Sequence, residues 1–153
     1  QAASPRVMPN LEQAVRRLQK NNPRAAAHWV EQLARWSTAP KDNGLVWSFD
    51  LRAQEVFLGV SESVNFDYWR AISARTLVVT GDLGYQYWAS QFGLDDYDGH
   101  FQPADWQERM DALSEGNPQQ RAQHREISGA GHQVHYDQPQ ELAALVYQWL
   151  AEP

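Results

Sequence analysis

Two segments near the start of the chain carry apolar residues at helical spacing. The first begins at an Asn10 cap, with Gln13 at the capping-box position, and stops at Asn21-Asn22-Pro23. The second covers residues 24–36, and its apolar set is Ala26, Trp29, Val30, Leu33 and Trp36. The pattern predicts two helices whose apolar faces need a partner, with both tryptophans in a core. Residues 1–9 are small, polar and proline-bearing, and are predicted to be a disordered start or a linker.

The middle of the chain mixes extended and helical patterns. Alternation from Leu45 to Phe49 predicts a short extended segment, and Asn65 is expected to cap a helix over residues 66–72. Residues 75–80, RTLVVT, then form an almost uninterrupted apolar run that ends at Gly81. Such a run without polar alternation is typical of a strand buried on both faces of a parallel sheet.

The last third of the chain predicts a helix over residues 103–113 and a strand over residues 121–127. A glycine-broken turn follows and places His132 just after the strand. Asp137 is expected to cap a final helix, with Gln140 at the capping-box position. Its apolar residues lie on one stripe: Leu142, Leu145, Val146, Trp149 and Leu150.

Composition narrows the class of protein. The 153 residues have the size of one domain, and 42% hydrophobic residues with seven Trp suffice for a core. A net charge of -6 without a basic run argues against a nucleic-acid or anionic-membrane surface. No apolar run approaches the roughly 18 residues of a membrane span, and no signal-peptide pattern opens the chain, so a cytoplasmic location is expected.

Metal, cofactor and thiol chemistry are not predicted. The absence of cysteine excludes a disulfide scaffold, thiol catalysis and Cys-ligated zinc. The acidic stretch Asp95–Gly99 hints at a calcium loop, but Leu94 occupies the position of the first ligand.

Two motifs resemble the α/β-hydrolase superfamily. Gly129-Ala130-Gly131-His132, with Asp137-Gln138-Pro139 after it, resembles the catalytic-histidine loop and the terminal helix of that family. RTLVVTGD, residues 75–82, resembles its penultimate strand, which leads into the loop of the catalytic acid. The resemblance implies a partial α/β-hydrolase fold. Residues 1–72 would be the helical cap, and residues 73–153 would hold the last two parallel strands and helices of the core.

The resemblance also assigns site residues. His132 would be the general base, a role that suits histidine because its pKa of about 6.5 lies near working pH. The family usually carries its acid three residues beyond the strand-ending glycine, where this chain has Gly84. Asp82 is the nearest substitute, although some relatives supply the acid from a strand before the cap. Tyr85 and Val134 are candidates for substrate contact, and packing roles suit them equally.

The nucleophile is missing from this sequence. A nucleophile elbow needs G-x-S-x-G or its Asp version, and the nearest stretch, residues 59–63, has Ser63 in place of the second glycine. Two strands with a cap would also leave a sheet edge and apolar helix faces open to water. The expected partner is therefore a complementary N-terminal hydrolase polypeptide that carries the nucleophile and completes the sheet, as a second subunit or a cleavage product.

Three functions follow as hypotheses. The leading one is an esterase-like hydrolase acting on a small to medium apolar substrate, with a serine nucleophile from the partner and an aspartate as the other possibility. The second is a non-catalytic α/β-hydrolase-like module for ligand binding or protein interaction. The third is a free-standing small α/β domain in which His132 is incidental.

Overall fold

The structure, a computed structural model, describes residues 6–50, 52–53, 62–87 and 103–152. The chain divides into two compact units, Gln1–Val60 and Ser61–Pro153. This division precedes the expected boundary after residue 72, and the cap and core assignments themselves stay predictions. The acidic stretch at residues 94–99 and the elbow-like serine at position 61 lie outside the described residues.

The first unit contains two helices and a hairpin. Helix α1 spans Leu11–Asn21, and the Asn10 side chain accepts a hydrogen bond from the Gln13 N–H at 3.1 Å, as predicted. The second helix begins later than expected. The remaining elements are α2 (Ala27–Trp36), β1 (Thr38–Lys41) and β2 (Gly44–Trp47), and the two strands pair antiparallel.

Met8 anchors the chain ahead of α1. Its N–H donates to the Leu45 carbonyl at 2.7 Å, and its own carbonyl accepts from the Leu45 N–H at 2.8 Å. Met8 is fully buried in a cluster with Ala14 and Ala34. A Cβ at Gly44 would lie 2.3 Å from the Met8 carbonyl oxygen, so this approach needs glycine. The prediction of a disordered start is therefore wrong at Met8, because backbone pairing and burial both fix this residue.

The tryptophans of α2 correct another prediction. Trp36 is 64% exposed and Trp29 is 40% exposed, whereas Val30 and Ala34 are buried. The core prediction for both tryptophans is wrong within the described chain. Alanines on the two helices lie in the same cluster, and this close packing uses small side chains and leaves the large rings at the margin.

The second unit is built on a parallel strand pair. β3 (Leu77–Gly81) and β4 (Gln123–Ile127) run in register from Leu77↔Gln123 to Gly81↔Ile127. The predicted pair of parallel strands is confirmed. The helices of this unit are α3 (Glu62–Arg70), α4 (Pro103–Glu115), α5 (Val134–Asp137) and α6 (Pro139–Ala151).

Helices cover both faces of this sheet. On one face, Leu142 and Leu145 of α6 pack against a cluster that contains Ile127. On the other face, the His124 ring of β4 stacks on Trp106 of α4, with ring centroids 4.2 Å apart. The His124 Nε2 lies 2.8 Å from the Thr80 hydroxyl. Burial is the main cause that lowers the pKa of His124. The charge of Glu126 raises this pKa, and the charge of Arg125 lowers it.

Two helix starts differ from the sequence predictions. α3 begins at Glu62, so Asn65 lies inside the helix and does not cap it. Asp137 ends the short helix α5, and the residue that precedes α6 is Gln138, which makes no side-chain cap bond. The Asp137 carboxylate is engaged by a backbone N–H of the preceding turn instead. The expected capping box with Gln140 is therefore absent.

Candidate active site

The loops after β3 and β4 lie side by side at the carboxyl ends of the strands. The Asp82 N–H donates to the Ile127 carbonyl at 3.2 Å, and the Leu83 N–H donates to the Ala130 carbonyl at 2.9 Å. A Cβ at Gly81 would approach the Ala130 oxygen to 2.2 Å. A side chain at position 81 would force the loops apart, so this glycine permits the contact.

His132 follows a tightly fixed turn. Gly129 adopts a positive φ of 70°, which glycine tolerates without strain. The Gly131 N–H, adjacent to the histidine, donates to Asp137 Oδ2 at 2.7 Å. Both Ala130 and Gly131 are buried, whereas His132 itself reaches the surface. The fold thus presents the imidazole from a backbone that is held in place.

The electrostatic surroundings of His132 keep its imidazole neutral. Partial burial, the larger cause, lowers its pKa from the ordinary 6.5, and a positive charge on His135 lowers it further. A neutral imidazole has a free lone pair at neutral pH and can accept a proton. The site therefore suits a general base.

Tyr87 stacks on the imidazole of His132. The ring centroids are 4.7 Å apart and the ring planes differ by 12°. Tyr87 belongs to a helical turn at residues 85–87, which starts directly after Gly84. Tyr87 was not among the site residues predicted from the sequence. Its position three residues beyond Gly84, one helical turn away, is the only pattern in the sequence that points to it.

Gly84 lies against the backbone of the histidine. A Cβ at this position would be 3.8 Å from both the N and the Cα of His132, and 3.1 Å from the Gly81 oxygen. The position that carries the acid in the family pattern therefore faces His132 in space, and it holds no side chain.

Asp82 joins the two loops through Ser128. Its Oδ2 accepts a hydrogen bond from the Ser128 hydroxyl at 3.1 Å. Its Oδ1 is buried and has no hydrogen-bond partner among the described residues. The structure brings the Asp82 backbone to the loop of His132, while the carboxylate pairs with Ser128. Its role as the acid stays a prediction.

The two candidate substrate residues occupy different environments. Val134 is 6% exposed and packs with Ile127 and Ala130, so its side chain contributes to the core. Tyr85 is half-buried in the same turn as Tyr87. Of the two, Tyr85 is the more exposed residue, and its role in substrate contact stays a prediction.

The described residues contain neither a metal-binding cluster nor a membrane-spanning helix. No group of three or more His, Asp or Glu side chains within the described ranges is arranged to hold a metal ion. None of the helices in the part of the chain that the structure covers has the length and apolar character needed to cross a membrane.

Comparison with known proteins identifies the fold. No family model and no curated protein matches the sequence. A thioesterase domain from the curacin biosynthetic pathway is similar with a TM-score of 0.68 and 22% identity, covering 97% of this chain and 46% of its own. E-2-(acetamidomethylene)succinate hydrolase is similar with a TM-score of 0.67 and 14% identity, covering 95% of this chain and 47% of its own.

The chain therefore spans about half the length of these solved structures. Both are α/β-hydrolase proteins, in agreement with the motifs at RTLVVTGD and around His132. The expectation from the sequence is confirmed at the level of the fold: this chain has the fold of the α/β-hydrolase superfamily.

Proposed function

We propose that the chain is the C-terminal part of an α/β-hydrolase and supplies His132 as the general base. The observation that carries the proposal is the pairing of the β3 and β4 loops, which holds a partly buried, neutral imidazole at the carboxyl ends of two parallel strands. Reactive groups of open α/β sheets gather at this end of the strands. The hydrolase names of both similar structures agree with this chemistry.

The reaction would be acyl transfer to water from a small to medium apolar substrate. A serine oxygen from the completing polypeptide attacks the carbonyl carbon, and its proton passes to a nitrogen of His132. The bond to the leaving group breaks, and the imidazolium returns the proton to that group. Water then repeats the sequence and releases the acid and the free serine. Tyr85 is the candidate for substrate contact on this chain.

A complementary N-terminal polypeptide is part of the proposal. Every residue of β3 is only half-buried, although its sequence is that of a strand buried on both faces. No residue of α6 is buried, although its sequence is apolar around most of the helix. A partner that pairs with β3 and covers α6 would bury the apolar side chains of both elements. It would also carry the nucleophile that this sequence lacks.

Native mass spectrometry and mutagenesis test the proposal together. We expect the active species to be heavier than the 17.5 kDa of this chain, and a fluorophosphonate to label a serine in the partner. In that assembly, His132→Ala should lower kcat by about 10⁴-fold or more. His28→Ala, which changes an exposed histidine of the first unit, is the matched control and should leave kcat unchanged. A fully active 17.5 kDa monomer, or an unaffected His132→Ala variant, would refute the proposal.

A non-catalytic ligand-binding or interaction module is the second candidate. Two observations favour it: position 84 holds no acid, and the Asp82 carboxylate pairs with Ser128. This function predicts an assembly that binds apolar esters without turning them over. Saturable binding, an unlabelled serine and no turnover in the same preparation would select this candidate over the hydrolase.

A further inference from the structure

We propose that Tyr87 is a positioning residue for His132: its ring fixes the plane of the imidazole and shields one imidazole face from water. This role rests on the proposed function, in which the imidazole must be aimed at a nucleophile. An aromatic ring on the β3 loop would then help to orient the imidazole, which a carboxylate at position 84 would do in the family pattern.

The stack is close and nearly parallel. With 4.7 Å between centroids and 12° between planes, the tyrosine ring covers one face of the imidazole and leaves the ring edges clear. The two imidazole nitrogens lie on that edge. The contact therefore resists rotation of the imidazole out of its plane without occupying either nitrogen.

The backbone fixes both partners of the stack to the same structure. The Tyr87 N–H donates to the Gly84 carbonyl at 3.3 Å, and the Gly84 N–H donates to the Gly81 carbonyl at 3.0 Å. On the other side, the Gly131 N–H beside His132 is held by Asp137. Since the two loops are joined through Leu83 and Ala130, the backbone segments that carry the two rings cannot separate without breaking hydrogen bonds.

Gly84 explains the need for the stack. The absence of a side chain at position 84 is not required by the histidine backbone, because a Cβ there would be in ordinary van der Waals contact, 3.8 Å from both His132 N and Cα. The same absence removes the carboxylate that orients the imidazole in the family pattern. A stacked ring restores orientation, but it supplies no negative charge.

Two described carboxylates near the imidazole are engaged in hydrogen bonds to other groups. The Asp137 carboxylate accepts from Gly131, the Asp82 carboxylate accepts from Ser128, and His135 contributes positive charge when protonated. Partial burial of the imidazole agrees with a shielded face, since burial is the main cause of its lowered pKa.

Histidine NMR on the purified protein tests the stack without a change at Tyr87. A ring lying parallel to the imidazole shifts the imidazole carbon-bound protons of His132 upfield through its ring current, and His132→Gln identifies the resonances. Tyr87→Leu should remove this upfield shift and raise the pKa of His132, because the shielded face becomes hydrated. Tyr87→Phe keeps the ring and should preserve both properties.

Turnover supplies the second readout. In the active assembly, Tyr87→Leu should lower kcat by about 10- to 100-fold with little change in KM, and Tyr87→Phe should recover most of the loss. Tyr68→Leu, at an exposed position of α3, is the matched control and should leave kcat unchanged. If kcat and the titration of His132 are the same in folded Tyr87→Leu as in the parent, the proposal is wrong.

The two readouts separate this inference from the proposed function. An upfield His132 shift in a completed assembly that has no hydrolytic activity would end the hydrolase proposal and, with it, the catalytic purpose of Tyr87. Random-coil His132 shifts in an active enzyme would overturn the positioning role alone. The unmutated protein gives this second answer even where Tyr87→Leu fails to fold.

Discussion

Asp137 accepts a hydrogen bond from the N–H of Gly131 at 2.7 Å, and this bond ties helix α5 to the residue before His132. Asp137→Ala should leave that N–H without an acceptor in a buried turn and cost about 1–3 kcal/mol in the free energy of unfolding. Asp137→Asn retains a side-chain oxygen acceptor, so it should cost less. Urea denaturation measures both differences.

The control for this change is Asp67→Ala. Asp67 is an exposed partner of Arg70 within α3, where an ion pair contributes at most about 1 kcal/mol. Equal destabilisation by Asp137→Ala and Asp67→Ala would show that the bond to Gly131 does not hold the turn.

Asp82 and Ser128 should behave as a structural pair. Because the hydroxyl of Ser128 donates to Asp82, we expect Asp82→Asn and Ser128→Ala each to cost about 1 kcal/mol, and the double variant to cost less than their sum. Turnover should stay within about tenfold of the parent for each.

An orienting acid would behave differently. If Asp82 were the triad acid, Asp82→Asn would lower kcat by about 10⁴-fold while Ser128→Ala would not. That pattern would support the catalytic assignment of Asp82 and reject a purely structural one. Comparison of kcat with unfolding free energy in the same variants decides between them.

The pH dependence follows from the lowered pKa values of His124 and His132. The native state binds these protons more weakly than the unfolded chain, so stability is full above the ordinary value of 6.5 and falls as pH drops below it. The same shift keeps His132 a base under mildly acidic conditions. The acidic limb of kcat/KM should accordingly lie below 6.5.

A substitution at His135 tests the acidic limb of the kcat/KM profile. Its positive charge lowers the pKa of His132, so His135→Gln should raise that pKa and move the acidic limb to higher pH. NMR titration of His132 checks the direction independently of activity. A limb that moves the opposite way would show that another group controls it.

Met8 should be a stability determinant of the first unit. Truncation of this fully buried side chain by Met8→Ala should cost about 2–5 kcal/mol. Val7→Ala, at the exposed neighbouring position, should stay within about 0.5 kcal/mol. Hydrogen exchange at the Leu45 amide, which donates to Met8, should accelerate only in the first variant. Unchanged exchange would mean that this backbone pairing survives without the side chain.

Local patterns predicted the elements whose burial or capping is set by nearby residues. The Asn10 cap of α1 and the apolar run of β3 were identified because each depends on a few contiguous residues. His132 was identified for a related reason, since its glycine turn is encoded next to it. The parallel pairing of β3 with β4 came from the family resemblance and not from periodicity.

Contacts between distant segments were not predictable in the same way. Met8 pairs with Leu45, and Tyr87 stacks on His132, across chain separations that carry no periodic pattern. Asp137 matched a capping box in sequence, yet a buried N–H in the previous turn competes for its carboxylate. Local propensity could not predict the hydrogen bond from the Gly131 N–H, because the turn reaches Asp137 only in the folded chain.

The parallel register of β3 and β4 also determines when the site can form during folding. Ser128 and Asp82 are 46 residues apart in sequence, and the strands that bring them together must close a loop of that length first. Closing such a loop costs entropy before any contact is gained, and non-local pairings of this kind slow folding. The helices can form early from local contacts, whereas the stack of Tyr87 on His132 can appear only after the strands have paired. Compact states that lack this pairing would therefore be helical and have no assembled histidine site.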